Sequence, residues 1–287
     1  MEIYVAKQPI FDRHMNTYGY ELLYRKSLNN TYDGDDDNQS TAALINNVYL
    51  AFGSDVMTEG KKAFINFPTE LIEREIPTLL PKDHVVIEIL EHVEPSASVI
   101  RACAHLKNKG YLIALDDFVF HEKNFPLFEI ADIIKIEFTK IDVGEQRNVI
   151  SSYKEKYNKR FLAEKVETRE QYDQAMELGY DLFQGYFFSK PVIVQGREIK
   201  WINTSVLQVI HEVNKEEPDF QKITEIIEKD VGLTYKLLKA ANSVFYGSIH
   251  RIRSVKQALI RFGLSEIRKW MYLLMLKDAK SADNDEL

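Results

Sequence analysis

Ile113-Ala114-Leu115-Asp116-Asp117 and Phe161-Leu162-Ala163-Glu164 pose the question this chain has to answer, because each is an apolar run that closes on acid. A charged side chain at the end of a buried strand is costly unless it is paired or binds a cation. The pattern recurs along the first two thirds of the chain. Glu21 sits in Tyr20-Glu21-Leu22-Leu23, Asn66 in Phe64-Ile65-Asn66-Phe67 and Glu88 in Val86-Ile87-Glu88-Ile89. Lys135 interrupts Ile133-Ile134-Lys135-Ile136, and Gln184 follows Leu182-Phe183. One such residue reads as a structural ion pair. A polar group near one end of seven β-rich runs out of eight reads as one convergent site.

The runs themselves predict the fold. Residues 3–11 and 18–24 are separated only by a polar turn, so they form an antiparallel hairpin. Further runs at 63–67, 85–90, 111–116, 133–138, 160–166 and 182–188 are mostly separated by helical patterns, such as 96–108 and 169–178. Strand alternating with helix implies a parallel sheet, and eight strands predict an α/β fold of the TIM-type (β/α)8 barrel kind, made irregular by one antiparallel strand. An open doubly wound sheet is the alternative, weakened because no glycine-rich phosphate loop follows any strand. In a parallel barrel the C-terminal strand ends share one mouth. There, five carboxylates, one amide oxygen and a lysine would form a hard-oxygen site suited to Mg²⁺ or Mn²⁺.

After residue 191 the strand signal stops and helical periodicity runs over 204–277, with Asp219 and Ser254 as helix starts. The expected division is a barrel over 1–191, a linker over 192–203 and a small all-α domain over 204–287, with a frayed polar tail at 280–287. A net charge of −7 argues against a protein that coats nucleic acid or an anionic membrane. Cys103 is the only cysteine, so no intramolecular disulfide can form, and a reducing cytoplasm is the simplest setting. Neither a signal-peptide core over residues 1–9 nor a span-length apolar stretch is present, so a soluble, cytoplasmic protein is expected.

The motifs Gln8-Pro9-Ile10, Tyr20-Glu21-Leu22-Leu23-Tyr24-Arg25, Ala114-Leu115-Asp116-Asp117-Phe118, Ile134-Lys135-Ile136, Ala163-Glu164-Lys165-Val166-Glu167-Thr168 and Gln184-Gly185-Tyr186-Phe187-Phe188-Ser189-Lys190-Pro191 resemble the EAL domain family. Its members are phosphodiesterases or receptors for the bacterial second messenger cyclic di-GMP. The resemblance implies roles position by position. Glu21 stands at the signature glutamate, although the triplet reads Glu-Leu-Leu here. Asn66, Glu88 and Asp116 match the remaining ligands of a first metal. Asp116 would bridge to a second, completed by Asp117 and Glu164. Lys135 would position or activate the attacking water, Gln184 would help hold the metal–water cluster, and Arg25 would contact substrate phosphate. Two Mg²⁺ or Mn²⁺ ions, and pGpG as product, are implied likewise.

Two departures stand out. The family's Phe-Gly-Thr-Gly loop after the double aspartate is Phe118-Val119-Phe120-His121 here, and Lys165 replaces a common glycine, where it could pair with an acid or crowd the site. The retained ligand set favours hydrolysis of cyclic di-GMP. The altered loop favours a receptor, and crowding by Lys165 favours a scaffold that binds neither ligand nor metal. A homodimer is expected from the resemblance alone.

In the helical part, Asp230-Val231-Gly232-Leu233-Thr234-Tyr235-Lys236-Leu237-Leu238, Ala240-Ala241-Asn242-Ser243 and Ala258-Leu259-Ile260-Arg261-Phe262-Gly263-Leu264 resemble the HDOD module, of which only the first part is expected here. A barrel joined to this module resembles the YuxH-like group of signalling proteins. With no His-Asp pair in the module, metal hydrolysis is not expected there; packing, dimerisation or binding of a signalling protein is. Arg251, Arg253, Lys256, Arg261, Arg268 and Lys269 with Tyr246 and Trp270 read as a solvated helix face over an aromatic core rather than a nucleic-acid patch. Asp33, Asp35, Asp36 and Asp37 lack the glutamate that would end a calcium loop, since position 44 is Leu44, and read as a solvated loop. His121 reads as an ordinary loop histidine, and Cys103 as a small buried residue.

Overall fold

The computed structural model describes residues 2–25, 36–48, 57–197, 203–242 and 251–278. The hairpin is β1 (Glu2–Asp12) and β2 (Thr17–Arg25), paired antiparallel with Gln8 opposite Glu21. Then follow β3 (Lys62–Phe67), β4 (Val85–Ile89), β5 (Leu112–Leu115), β6 (Ile133–Glu137), β7 (Arg160–Glu164) and β8 (Leu182–Phe183), each parallel to its predecessor. β1 runs antiparallel to both β8 and β2, which closes the barrel. The barrel with one antiparallel strand is therefore as expected.

Two strand boundaries differ from the sequence reading. The run at 182–188 pairs only through Leu182 and Phe183. Gly185 turns the chain next: a Cβ there would lie 2.0 Å from the Val166 carbonyl oxygen, so only glycine fits. The expected linker begins with a ninth strand, β9 (Val192–Arg197), antiparallel to residues 2–7 of β1. Because β8 covers only Phe11 and Asp12, the rest of that edge of β1 would be left with unpaired backbone groups. The β-branched run Val192-Ile193-Val194 supplies the partner. Residues 198–202, Asp33 and Asp35, Ser243 and Tyr246, and the expected tail lie outside the described residues.

The main connecting helices are α1 (Asp37–Asn46), α2 (Thr69–Glu73), α3 (Ala97–Asn108), α4 (Phe125–Ile130), α5 (Val143–Tyr153) and α6 (Arg169–Leu178). Ser96 caps α3, and Thr168 with Gln171 forms a capping box on α6, which satisfies amide groups that a helix start leaves free. Cys103 is buried on α3, where burial pushes its thiol up to about 12. His121 accepts from the Lys123 amide in an exposed turn, away from the barrel interior.

Inside the barrel, Ile10, Phe64, Val86, Ala114, Ile133, Leu162 and Leu182 form a closed apolar plug. The Phe64 ring lies against Gly19 of β2, where a Cβ would come within 2.9 Å of it. Side chains two residues apart on a strand face the same way. The position two residues beyond each plug residue, counted toward the C-terminal mouth, is therefore also interior: Asn66, Glu88, Asp116, Lys135, Glu164 and Gln184. On antiparallel β1 the count runs backward from Ile10 to Gln8, and on β2 it runs from Gly19 to Glu21. The period of the strand thus places a ring of eight polar side chains directly above the plug.

The helical part comprises α7 (Asn203–Val213), α8 (Phe220–Glu228), α9 (Val231–Ala241) and α10 (Val255–Asp278). Gly263, at φ 73°, breaks α10 into two helical segments. These helices share a separate apolar core that includes Val209, Ile223, Leu237, Phe262 and Trp270. Arg251, Arg253, Lys256, Arg261 and Arg268 are exposed while Trp270 is buried, as expected of a solvated face over an aromatic core; Arg268 also donates to the Val213 carbonyl (2.7 Å) and Lys269 to Thr78 of the barrel (2.7 Å). α10 also lies on α1: Leu273 joins the barrel-side core, Asn46 Nδ2 donates to its carbonyl (3.4 Å), and the Tyr272 hydroxyl donates to Glu70 (2.5 Å). Among the described residues, no helix is long and apolar enough to cross a membrane.

Candidate functional site

The centre of the polar ring is an ammonium surrounded by carboxylates. Lys135, wholly buried on β6, places Nζ 2.7 Å from Asp116 Oδ1, 2.8 Å from Glu88 Oε1, 3.0 Å from Glu164 Oε1 and 3.7 Å from Glu21 Oε1. Burial by itself would depress the lysine's pKa, but Asp116, Glu164, Glu21 and Glu88 together outweigh it and hold the pKa well above the ordinary value. Burial pushes the Glu88 carboxyl well up, offset only in part by Lys135. It raises Glu164 to about 8, with Asp116 and Glu21 adding to the effect. Gln184 donates through Nε2 to Glu21 Oε2 (2.6 Å) and to Gln8 Oε1 (3.2 Å), tying β8 to the hairpin.

Above this ring is a cavity of about 340 Å³ lined by Gln8, Glu21, Asp116, Glu164, Gln184 and Tyr186, with Asp117, Lys165 and Glu167 at its rim. Asp117 adopts φ 42°, a left-handed backbone uncommon outside glycine and asparagine. Its Oδ2 accepts from Lys140 Nζ at 3.1 Å. Lys140 also approaches Glu137 at 3.8 Å, and Lys165 donates to Glu137 at 2.6 Å. Lys165 therefore pairs with an acid at the rim and stays 60% exposed, rather than filling the site.

The structure brings together Glu21, Glu88, Asp116, Lys135, Glu164 and Gln184, and the strand register sets Asn66 beside Glu88. Asp117 is at the rim with Lys140. Arg25 closes β2, donates to the Tyr24 carbonyl (3.1 Å) and is not among the residues that line the cavity. Gln8, Glu137 and Lys140 were not singled out from sequence. Gln8 was readable by stepping two residues back from Ile10. Glu137 and Lys140 were not, because their partners are set by how the loops after β5, β6 and β7 meet.

The loop after Asp117 is anchored through aromatic packing in place of glycines. Phe120 stacks on Tyr153 (5.5 Å, 14°) and meets Phe118 edge-on (4.8 Å, 90°). The Phe118 amide donates to the Lys135 carbonyl (3.0 Å), which locks the loop to β6.

The donor set suits a hard divalent cation. Asn66 Oδ1, Gln184 Oε1 and Asp117 Oδ1 are buried oxygens without a hydrogen-bond partner, and so is Oε2 of the wholly buried Glu88, whose Oε1 meets only the shared Lys135. Buried acceptors are rarely left so, and each such group calls for an explanation such as an ion. Among the described residues, no three His, Cys, Asp or Glu side chains are gathered into a ready-made metal cage, because the carboxylates close on Lys135 instead.

Residues 55–191 match the EAL domain family and residues 199–287 the HDOD domain family. The chain is 40% identical over 283 residues to the uncharacterized protein YuxH of Bacillus subtilis, covering 97% of this chain and 69% of that protein. It is 33% identical over 286 residues to the cyclic di-GMP phosphodiesterase CdgJ of Vibrio cholerae, covering 99% of this chain and 66% of that protein. The chain thus spans about two thirds of these relatives' length. Among solved structures, BlrP1 of Klebsiella pneumoniae, in complex with manganese and cyclic di-GMP, superposes with a TM-score of 0.52 at 20% identity, over 68% of this chain and 57% of that one. The barrel, the joined helical module and the extent of these matches together show that the chain belongs to the family of EAL–HDOD proteins that includes YuxH.

Proposed function

We propose that the barrel is a cyclic di-GMP phosphodiesterase that opens the ring to linear pGpG. One observation carries the reading: a ring of eight polar side chains at the C-terminal mouth, five of them buried, in which several acid and amide oxygens lack the hydrogen bonds that burial demands. The relationship to a cyclic di-GMP phosphodiesterase over nearly the whole chain supports it.

Glu21, Asn66, Glu88 and Asp116 would hold one Mg²⁺ or Mn²⁺, and Asp116, Asp117 and Glu164 a second. The chemistry such cations supply is a lowered water pKa and neutralisation of the phosphodiester's charge. Hydrolysis forms a bond from water oxygen to phosphorus and breaks the bond from phosphorus to the ribose oxygen, which leaves with a proton. Lys135, pointing up from β6, donates toward that water and holds it in line. Gln184 fixes the carboxylate of Glu21 through its amide, and Gln8 orients Gln184 in turn. Arg25, at the end of the strand that bears Glu21, would meet a substrate phosphate.

The deciding experiment mixes purified protein with cyclic di-GMP and Mg²⁺ or Mn²⁺ and follows pGpG by chromatography, with Asp116→Asn as control. Metal-dependent product that disappears in the variant is expected. Equal turnover by the variant removes Asp116 from the mechanism.

A second reading, a receptor that passes ligand occupancy to the helical module, is favoured by one contact chain. Thr41 on α1 donates to the Asn66 carbonyl (2.8 Å), and α1 carries Asn46 against α10. Calorimetric binding of cyclic di-GMP without product would select this reading, and a protein partner would then be sought at the helical module.

A further inference from the structure

The mouth contains two sets of acids with different charge balance. In the inner set, Glu21, Glu88, Asp116 and Glu164 face one ammonium, Lys135, so negative charge is in excess. In the rim set, Asp117 and Glu137 face two ammonium groups. Lys140 Nζ is 3.1 Å from Asp117 and 3.8 Å from Glu137, and Lys165 Nζ is 2.6 Å from Glu137. The rim acids are therefore already neutralised by cations that are part of the chain.

We propose that Lys140 and Lys165 are built-in countercations that oppose a second divalent cation at Asp117, with Glu137 holding both ammonium groups beside it, so that the site fills in two unequal steps. The inference rests on the proposed cation site and sharpens it. A cation entering among the inner carboxylates meets net negative charge and oxygens without hydrogen bonds, Asn66 Oδ1 and Glu88 Oε2. A cation approaching Asp117 must part its Oδ2 from Lys140, and it then sits close to two like charges. The geometry favours competition over collapse of the site, because both lysines are exposed over more than half of their side chains, at 52% and 60%, and can swing into solvent. At high cation concentration they would yield. The device makes the second occupancy, rather than the first, the one that responds to the surrounding Mg²⁺ or Mn²⁺ level.

The test is a count of bound Mn²⁺ by electron paramagnetic resonance of the free ion, over a titration of the full chain. Wild type is expected to bind one equivalent tightly and a second weakly. In the double variant Lys140→Met, Lys165→Met the second step should tighten on the order of tenfold. The first step should be unchanged, which also reports that the barrel is folded. The double variant Lys140→Arg, Lys165→Arg, which keeps the charges, should retain the weak second step. Two equal equivalents in wild type, or a second step unmoved in the methionine variant, would overturn the inference while leaving the cation site intact. No Mn²⁺ bound by wild type or variants would overturn the proposed site itself, and the inference with it.

Discussion

The barrel mouth and the helical domain both bury acids, and they treat them differently. In the helical domain Glu212 is 2% exposed, yet it accepts from Lys215 at 2.8 Å and from the Asp219 amide at 3.4 Å, and lies 3.3 Å from Lys222. Asp230, equally buried, caps α9 by accepting from the Leu233 amide at 3.0 Å. In the barrel Glu88 is wholly buried with Oε2 unpartnered, and the one cation that meets its Oε1, Lys135, is shared with three other carboxylates. Buried charge with its own hydrogen bonds holds structure together. Buried charge kept short of them is a cost that stability alone does not explain.

Three substitutions test that contrast. Removing the shared cation with Lys135→Met leaves four carboxylates facing one another in the barrel. Breaking a buried pair from one side costs about 3–5 kcal/mol, so a large fall in urea-unfolding stability is expected. Mn²⁺ should restore part of that stability by taking the ammonium's place. A variant as stable as wild type would show that Lys135 does not hold the ring together.

Glu88→Gln should split stability from function. Cation affinity is expected to fall by at least roughly 100-fold, the upper end of what even outer-shell partners contribute. The melting temperature without metal should hold or rise, because burial disfavours the charged form of Glu88 and an amide of the same shape carries no charge to desolvate. A marked loss of thermal stability would instead place Glu88 with Glu212 as a structural acid.

Glu212→Gln should do the reverse and have the smallest effect. The hydrogen bond from Lys215, with Lys222 and the Asp219 amide adding, holds the Glu212 carboxyl down to about 2. A depressed folded-state pKa contributes stability above the unfolded value and loses it as pH falls through the folded one. The difference in unfolding stability between wild type and Glu212→Gln should therefore be full at neutral pH and shrink between pH 4.5 and about 2. Turnover at the barrel should not change. A pH-independent difference would mean that packing, rather than charge, holds this residue.

Most of the polar ring was legible in the sequence, for a reason specific to barrels. The apolar run Ile133-Ile134 followed by Lys135, and Leu182-Phe183 followed by Gln184, each mark a strand whose interior face changes from plug to ring within two residues. Gln8 escaped because its strand runs the other way, so the same count has to be made backward from Ile10. β9 escaped because its run is short and its only partner is the edge of β1 that a two-residue β8 leaves open. The role of Lys165 stayed open in sequence between pairing and crowding. It is decided by Glu137, 28 positions away in the chain and 2.6 Å away in space.

Local periodicity and motif therefore determined the barrel, its antiparallel opening, the helices of the last third of the chain and most of the polar ring. These depend on which way successive side chains point, which a strand's two-residue period and a helix's turn settle over short range. Tertiary structure alone decided which acid meets which cation. Four carboxylates from four strands converge on Lys135, Asp117 turns to Lys140, and the helical domain reaches α1 through Leu273. Those outcomes depend on distances between residues far apart in the chain, and barrel closure fixes them in a way that no local pattern records.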